Sequence, residues 1–188
     1  MSLDNKDVER FQSDKSVILS DDEIKSIHFW ISQMRQYRFR SIKEKIKKAK
    51  NTLKLKYNVI GSGVNRIVYD LNNGYIVKIA ISNLGLKSNE TEFDIYTHCP
   101  QEIKRYLCPM KEFGHGWIIM KKMKAKVPWQ IIEITKLVDL QVKFVSYGIL
   151  PLDLRMANVA LSDENEIAVV DYGHFIRGLN SPHFRWFD

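Results

Sequence analysis

Two acidic side chains and one amide in the last quarter of the sequence are the residues best suited to do chemistry. Asp153 and Asn158 lie in a short polar loop, and Asp171 follows the apolar run Ile167 to Val170. The polar turn Ser162 to Asn165 separates this run from an earlier one, so two short paired strands are predicted. This hairpin would bring the three side chains to one end of a sheet. Carboxylate and amide oxygens are ligands that Mg²⁺ accepts, and Mg²⁺ usually reaches a protein with a nucleotide phosphate.

This stretch resembles the catalytic loop and metal-binding turn of the protein-kinase superfamily, H-R-D-L-x-x-x-x-N and D-F-G. Asp153 and Asn158 match the first pattern, although Pro151-Leu152 replaces His-Arg, and Asp171-Tyr172-Gly173 matches the second. The resemblance implies that Asp153 accepts the proton of an attacking hydroxyl and that Asn158 and Asp171 bind Mg²⁺. It also implies that Arg155 neutralises the γ-phosphate of ATP.

A glycine-rich turn between two predicted strands is the second candidate. Its sequence, Gly61-Ser62-Gly63, suits phosphate binding because backbone N–H groups can approach without a Cβ in the way, although Gly-Ser-Gly is also common in ordinary turns. The kinase pattern is G-x-G-x-x-G-x-V, which Gly61, Gly63 and Val68 match. The resemblance implies that the turn binds phosphate, that Arg66 adds charge in place of the third glycine, and that Val68 packs on adenine.

Lys78 lies inside the apolar predicted strand Tyr75 to Ala80, which follows the hairpin turn Asn72-Asn73-Gly74. A lysine at such a position can also extend to solvent from a half-exposed strand. The resemblance implies instead that Lys78 binds the α- and β-phosphates and that Ile76 packs on adenine.

A helix is predicted from Ser88 or Asn89 to Tyr96. The resemblance implies that a carboxylate on this helix pairs with the nucleotide lysine. Glu92 is the preferred partner, and Glu90 is the alternative.

A second hairpin is predicted from Cys108 to Phe113 and from Gly116 to Met120. By resemblance, Met120 lies at the back of the adenine pocket, and Lys121 to Met123 form the hinge that binds adenine through its backbone. Pro128 and Trp129 are predicted to open a helix that ends before Gly148.

The N-terminal part predicts helices ahead of the first strand. Residues 1 to 19 show little periodicity and predict a mobile arm or short helix. Ser20 and Glu23 match a capping box, and a helical apolar stripe follows, so one long or two shorter helices are expected over 20–50. From Leu53 the apolar pattern alternates through Val59, which predicts a half-exposed strand.

Composition and charge narrow the classes of partner. The 188 residues are 45% hydrophobic and 27% charged, which is typical of a globular protein. No apolar run approaches the roughly 20 residues that span a bilayer, and the N-terminus is too polar for a secretory signal. Cys99 and Cys108 lack metal-type spacing, so reduced thiols and a cytoplasmic location, in the cell of origin or in a host, are expected.

The net charge of +7 is concentrated between Arg35 and Lys56, where ten Lys or Arg residues accompany one acid. Such a stretch can attract nucleic acid, acidic lipid or an acidic protein, but a solvated helix face is the favoured interpretation.

Together these observations predict an α+β fold of the protein kinase-like type. Residues 1–52 would be a helical extension, and residues 53–188 a minimal kinase-like domain with an antiparallel N-lobe at about 53–122 and a reduced helical C-lobe at about 123–188, with the nucleotide in the cleft between them. The pattern lacks an activation segment and an A-P-E motif, so control by loop phosphorylation is not expected.

The predicted function is ATP- and Mg²⁺-dependent transfer of phosphate to a serine or threonine of an unidentified protein, as in the minimal kinases of phages and bacterial effectors. The alternatives are a nucleotide-binding pseudokinase that acts as a scaffold, a small-molecule kinase, and nucleic-acid binding through residues 35–56.

Overall fold

The computed structural model describes residues 15–123, 125–126, 131–162 and 166–178. Most of the predicted N-terminal arm, the helix opening at Pro128 and Trp129, and the tip of the polar turn at 163–165 therefore lie outside the described residues. The chain is α+β and divides into two compact units. The first comprises Met1–Glu90 and Pro109–Lys122, and the second comprises Thr91–Cys108 and Met123–Asp188.

A five-stranded antiparallel sheet forms the centre of the first unit, as predicted. Its spatial order is β1-β2-β3-β5-β4, and its strands are β1 (Asn58–Ser62), β2 (Arg66–Asp70), β3 (Tyr75–Ala80), β4 (Met110–Gly114) and β5 (Trp117–Lys121). Both predicted hairpins are confirmed. The β2–β3 turn contains Asn72 and Gly74 at positive φ, and the β4–β5 turn contains Gly116 at φ +87°. A Cβ on Gly116 would also lie 2.5 Å from the Ile31 side chain, so this turn requires glycine on two counts.

Two N-terminal helices share a hydrophobic core with the sheet. They are α1 (Asp21–Gln33), which is followed by a short 3₁₀ helix (Met34–Tyr37), and α2 (Ile42–Leu53). The capping box at Ser20 is confirmed, and a second one at Ser41 begins α2. Trp30 is fully buried and donates its indole N–H to the carbonyl of Ala80 at 2.9 Å, which ties α1 to the end of β3.

The first strand begins later than the alternating pattern predicts. Helix α2 continues to Leu53 and ends at Lys54, which adopts the left-handed conformation at φ 48°. The strand β1 then begins at Asn58. The alternation at Leu55 and Tyr57 instead reflects an irregular segment whose apolar side chains pack against the core.

The third helix, α3 (Asn83–His98), begins five residues before the predicted Ser88. The hydroxyl of Ser82 accepts the backbone N–H of Gly85 at 3.1 Å, as a capping side chain does. A glycine normally weakens a helix, but here the helix passes so close to the turn between β1 and β2 that a Cβ on Gly85 would lie 2.1 Å from the Asn65 carbonyl oxygen. Ser88 is therefore a buried interior residue rather than a cap.

The second unit combines helices with two small antiparallel sheets. Its elements are the end of α3, α4 (Gln101–Lys104), β6 (Ala125–Lys126), α5 (Ile131–Ser146), β7 (Ile149–Leu150), a 3₁₀ helix (Met156–Asn158), β8 (Val159–Leu161), β9 (Ile167–Val169) and β10 (Ile176–Arg177). Strands β6, β8 and β9 form one sheet, and β7 pairs with β10 in the other. The hairpin predicted between Asn158 and Asp171 is therefore confirmed as β8–β9.

Among the described residues, no helix has both the length and the apolar character that crossing a membrane requires.

Candidate active site

One face of the five-stranded sheet carries four of the residues predicted to contact nucleotide. Val68 pairs with Lys78, and Ile76 pairs with Met120. Paired residues, and alternate residues of one strand, lie on the same face of a sheet, so these four side chains share a face. The intervening residues of β2, β3 and β5 belong to the core shared with α1, so the nucleotide candidates lie on the face that α1 does not cover.

Lys78 and Arg66 are both buried. Lys78 is only 4% exposed, which excludes the interpretation of a lysine that extends into solvent. A buried ammonium needs hydrogen-bonding or charged partners. Arg66 is 7% exposed and donates to Oδ1 of Asn89 on α3 at 3.3 Å. Arg66 thus connects β2 to α3, a contact that the sequence did not indicate. Its contact with phosphate stays a prediction.

The glycine-rich turn is closed by a backbone hydrogen bond from Gly63 to the carbonyl of Arg66 at 2.9 Å. No atom of the described residues lies within 4 Å of a Cβ built on Gly63, and a Cβ on Gly61 would make only ordinary contact with Val68. Ser62 is exposed at the end of β1. Packing among the described residues therefore does not require glycine here and leaves space above Gly63 for a ligand.

The predicted hinge has two of its backbone N–H groups already bonded. Lys121 donates to the Pro109 carbonyl and Lys122 to the Gly74 carbonyl, both at 2.8 Å. The Lys122 side chain also forms an ion pair with Asp70. For the third predicted hinge residue, Met123, no backbone acceptor lies among the described residues, and its contact with a base stays a prediction.

The predicted catalytic loop, in the second unit, is held together by Asn158. Its amide nitrogen donates both to the carbonyl oxygen of Asp153, at 2.8 Å, and to Oδ2 of the same residue, at 2.9 Å. Arg155 contacts the other carboxylate oxygen, Oδ1, at 3.2 Å. Because the amide nitrogen of Asn158 faces Asp153, its Oδ1 remains as the acceptor that could face a cation.

Asp171 is linked to this loop through the backbone. The N–H of Val170 donates to the carbonyl of Asn158 at 2.8 Å, so the two predicted metal ligands lie at the same end of the β8–β9 hairpin. The N–H of Gly173 approaches Oδ1 of Asp171 at 3.4 Å, which turns the chain immediately after the carboxylate. The hairpin therefore brings together Asp153, Asn158 and Asp171, as the sequence predicts.

The two candidate carboxylates of α3 have different surroundings. Glu92 is fully buried, and its Oε1 accepts the backbone N–H of Tyr172 at 3.2 Å. Glu90 is exposed and lies 4.0 Å from Lys87 on the same helix. Glu92 thus holds the turn that carries Asp171, and its pairing with Lys78 stays a prediction.

Tyr172, which stands where the kinase pattern has phenylalanine, is buried from ring to hydroxyl. Its hydroxyl donates to the carbonyl of Cys108 at 3.2 Å, and its ring lies beside that of Phe175. Burial, with a smaller contribution from Glu92, raises the pKa of Tyr172 well above its ordinary value of 10.0. The hydroxyl therefore remains a hydrogen-bond donor near neutral pH.

A second link joins α3 to the segment after the predicted metal-binding turn. Arg177 donates to both carboxylate oxygens of Asp94, at 2.9 and 2.8 Å. These hydrogen bonds from Arg177 lower the pKa of Asp94, to which His98 also contributes. The pair joins residues 83 positions apart and has no local pattern, so no sequence signal could have found it.

Comparisons with known proteins were made by family model, by sequence and by structure. No family model and no curated protein matches the chain. Among solved structures, the 2.2 Å crystal structure of WbdD is 15% identical, with a TM-score of 0.46 over 63% of this chain and 32% of that one. A medium-resolution structure of "the bifunctional kinase-methyltransferase WbdD" is 14% identical, with a TM-score of 0.41 over 61% and 31%.

A third structure, WbdD with the kinase inhibitor LY294002, is 13% identical, with a TM-score of 0.45 over 65% and 33%. The chain thus spans about a third of the length of these structures. At these identities and TM-scores the similarity extends over only part of the backbone, and it assigns no residue a role.

Proposed function

We propose that the chain is a kinase-like phosphotransferase that moves the γ-phosphoryl group of ATP to a hydroxyl, with a serine or threonine of a protein as acceptor. The observation that supports this most is the loop held by Asn158, which bonds both the backbone and the carboxylate of Asp153. The same hairpin end carries Asp171. Two carboxylates and one carboxamide oxygen therefore lie on one small piece of the chain, which supports roles as a proton acceptor and two cation ligands.

Asp153 is the base in this proposal. Its carboxylate is partly exposed, at 39%, so an acceptor hydroxyl can approach it. As that hydroxyl oxygen forms a bond to the γ-phosphorus, the bond from phosphorus to the bridging oxygen of ADP breaks, and Asp153 takes the hydroxyl proton. Arg155 orients the carboxylate in the free protein and would neutralise charge on the transferred group.

Asp171 and Asn158 would hold Mg²⁺. The donor set fits this ion, because a carboxylate and a carboxamide oxygen are hard ligands and Mg²⁺ normally completes its shell with phosphate oxygens and water. When bound, Mg²⁺ neutralises phosphate charge. The turn that carries Asp171 is held by the buried carboxylate of Glu92 through the N–H of Tyr172.

Lys78 and the open glycine-rich turn would bind the phosphates, and Val68, Ile76 and Met120 would contact adenine. Lys78 is suited to this role because its ammonium is buried on the same sheet face as the three apolar side chains. Catalysis of phosphoryl transfer depends mainly on positioning and charge neutralisation, so few residues suffice.

The test is transfer of label from γ-labelled ATP with Mg²⁺ to a generic serine/threonine substrate and to the protein itself. Asp153→Asn should abolish transfer. Asp139→Asn, which changes an exposed carboxylate of the same unit, is the matched control and should transfer at the native rate. Equal transfer by the native protein and Asp153→Asn would refute the assignment. ATP binding without any transfer would favour the pseudokinase alternative.

A further inference from the structure

The basic stretch, which the proposed function does not use, forms part of a cavity of about 410 Å³ in the first unit. Three cationic side chains line it: Arg35, Arg38 and Lys45. The remaining lining residues are Met34, Ile81, Ser82, Asn83 and Leu84, none of them acidic. Throughout the described part of the chain, none of the three cations takes part in an ion pair.

Three cations gathered around one cavity repel one another, and this arrangement is stabilised when an anion enters. Ion pairing that the cations do not make among the described residues is available to a ligand. The cavity therefore fits an anionic group of moderate size, such as a phosphate with its substituents.

Large apolar side chains are exposed around the same cavity. Phe39 is 87% exposed, and the guanidinium of Arg38 lies 4.4 Å from its ring centre. Leu84, which lines the cavity, is 64% exposed. Ile42 is 44% exposed and precedes Lys45 by one helical turn, so the two share a side of α2. Exposed apolar side chains beside cations are typical of surfaces that meet a lipid membrane.

We propose that this surface docks on an anionic phospholipid membrane, with a headgroup phosphate in the cavity and Phe39, Ile42 and Leu84 inserted among the acyl chains. The cations supply attraction to the negative leaflet, and the apolar side chains supply burial that salt does not screen. This inference does not depend on the proposed phosphotransfer, because that proposal gives no role to any residue lining the cavity or to Phe39 and Ile42.

The cations would also attract nucleic acid, but nucleic acid would explain the charge of this surface and not its exposed aliphatic side chains. Phe39 could stack on a base. Ile42 and Leu84 are aliphatic and cannot stack, and a nucleic-acid backbone would leave them exposed to water. A membrane accounts for both the charge and the aliphatic side chains.

The test is co-sedimentation of the full chain with vesicles of phosphatidylcholine alone and with 30% phosphatidylglycerol. Binding should require phosphatidylglycerol. Each cation near an anionic surface contributes about fivefold in affinity, so the variant Arg35→Gln/Arg38→Gln/Lys45→Gln should bind about a hundredfold more weakly.

The matched control is Lys43→Gln/Lys47→Gln/Lys50→Gln. Like the first triple variant, it removes three positive charges, but it takes them from residues of α2 that do not line the cavity. This variant should lose less than about tenfold in vesicle affinity, because its charges act only at long range. Circular dichroism should show that both triple variants fold, and the single variants Arg35→Gln and Lys45→Gln give the same comparison if one of them does not.

Phe39 separates a membrane from a nucleic acid. Phe39→Ser should weaken vesicle binding at least about tenfold, whereas Phe39→Leu should keep it, because insertion needs an apolar side chain rather than a ring. Vesicle binding that ignores phosphatidylglycerol, or equal losses in the two triple variants, would overturn the proposal. So would tight binding to a single-stranded RNA with no binding to vesicles, or a Phe39→Leu variant as weak as Phe39→Ser.

Discussion

The hydroxyl of Tyr172 can be removed as a single atom from the turn proposed to bind Mg²⁺. Replacing Tyr172 with phenylalanine removes the hydrogen bond to the Cys108 carbonyl but keeps the buried ring and the backbone N–H that Glu92 accepts. The change also restores the residue that the kinase pattern has at this position. We expect the variant to be less stable but fully active in phosphate transfer.

The decrease in the free energy of unfolding can be estimated from the geometry of this hydrogen bond. A hydrogen bond within a protein contributes about 0.5–1.5 kcal/mol to the free energy of unfolding. The donor–acceptor distance of 3.2 Å is long for a hydroxyl, so a loss of about 0.5–1 kcal/mol is expected. In a chain of this length that corresponds to a fall in Tm of about 1–4 °C.

The pH dependence has a definite sign. Because folding raises the pKa of Tyr172, the folded state binds the phenolic proton more tightly than the unfolded chain. This stabilisation is fully present below the unfolded value of about 10.0 and is lost as the pH rises above it. The native protein should therefore exceed Tyr172→Phe in stability by a constant amount at pH 6 to 9, and the difference should shrink or reverse above pH 10.

Urea unfolding at several pH values measures these differences, with the slope m required to stay unchanged. Tyr147→Phe is the control, because this tyrosine of the same unit is 38% exposed and its hydroxyl should contribute little. A Tyr172→Phe variant as stable as the native protein at pH 7 would refute the hydrogen bond. Loss of transfer without loss of stability would refute the claim that only the backbone N–H of Tyr172 supports the site.

Three further predictions concern residues outside the proposed catalytic loop. Arg177→Gln should lower the free energy of unfolding by about 0.5–1 kcal/mol at pH 7 in low salt, since the pair with Asp94 is half-exposed. In urea unfolding this difference should decline below pH 4 and disappear, because Asp94, whose pKa is lowered in the folded state, then becomes protonated. A cost that persists at pH 2 would contradict this. Gly116→Ala should lower Tm by several degrees, whereas Gly63→Ala should leave it unchanged, and equal shifts would show that the steric argument is wrong. Burial raises the pKa of the Cys99 thiol to about 11, so alkylation at pH 8 should be about a hundredfold slower than in urea, and similar rates would refute the burial.

Local patterns predicted much of the fold. The capping box at Ser20, the turn at Asn72 to Gly74 and the strands around the polar turn at 162–165 each depend on residues close together in sequence, and each is found. The boundaries that were wrong have tertiary causes. Helix α3 begins before Gly85 because this glycine admits a close contact with Asn65, which no window of sequence displays.

In the candidate site, too, local patterns were predictable and contacts between distant residues were not. The spacing of Asp153, Asn158 and Asp171 was enough to predict that they lie together. The supports of the site were not predictable, because the contact of Arg66 with Asn89 and that of Glu92 with the Tyr172 backbone join distant parts of the chain. A buried polar contact of this kind is selected by the final packing rather than by local preference.

Parallel measurement of ATP binding and phosphate transfer in Asp153→Asn and Asp171→Asn tests the central proposal most directly. If Asp171 holds Mg²⁺ and Asp153 accepts the proton, Asp171→Asn should lose the Mg²⁺ dependence of ATP binding together with transfer. Asp153→Asn should keep Mg²⁺-dependent ATP binding and lose transfer alone. Transfer at the native rate in either variant, or no Mg²⁺-dependent binding by the native protein, would contradict the account.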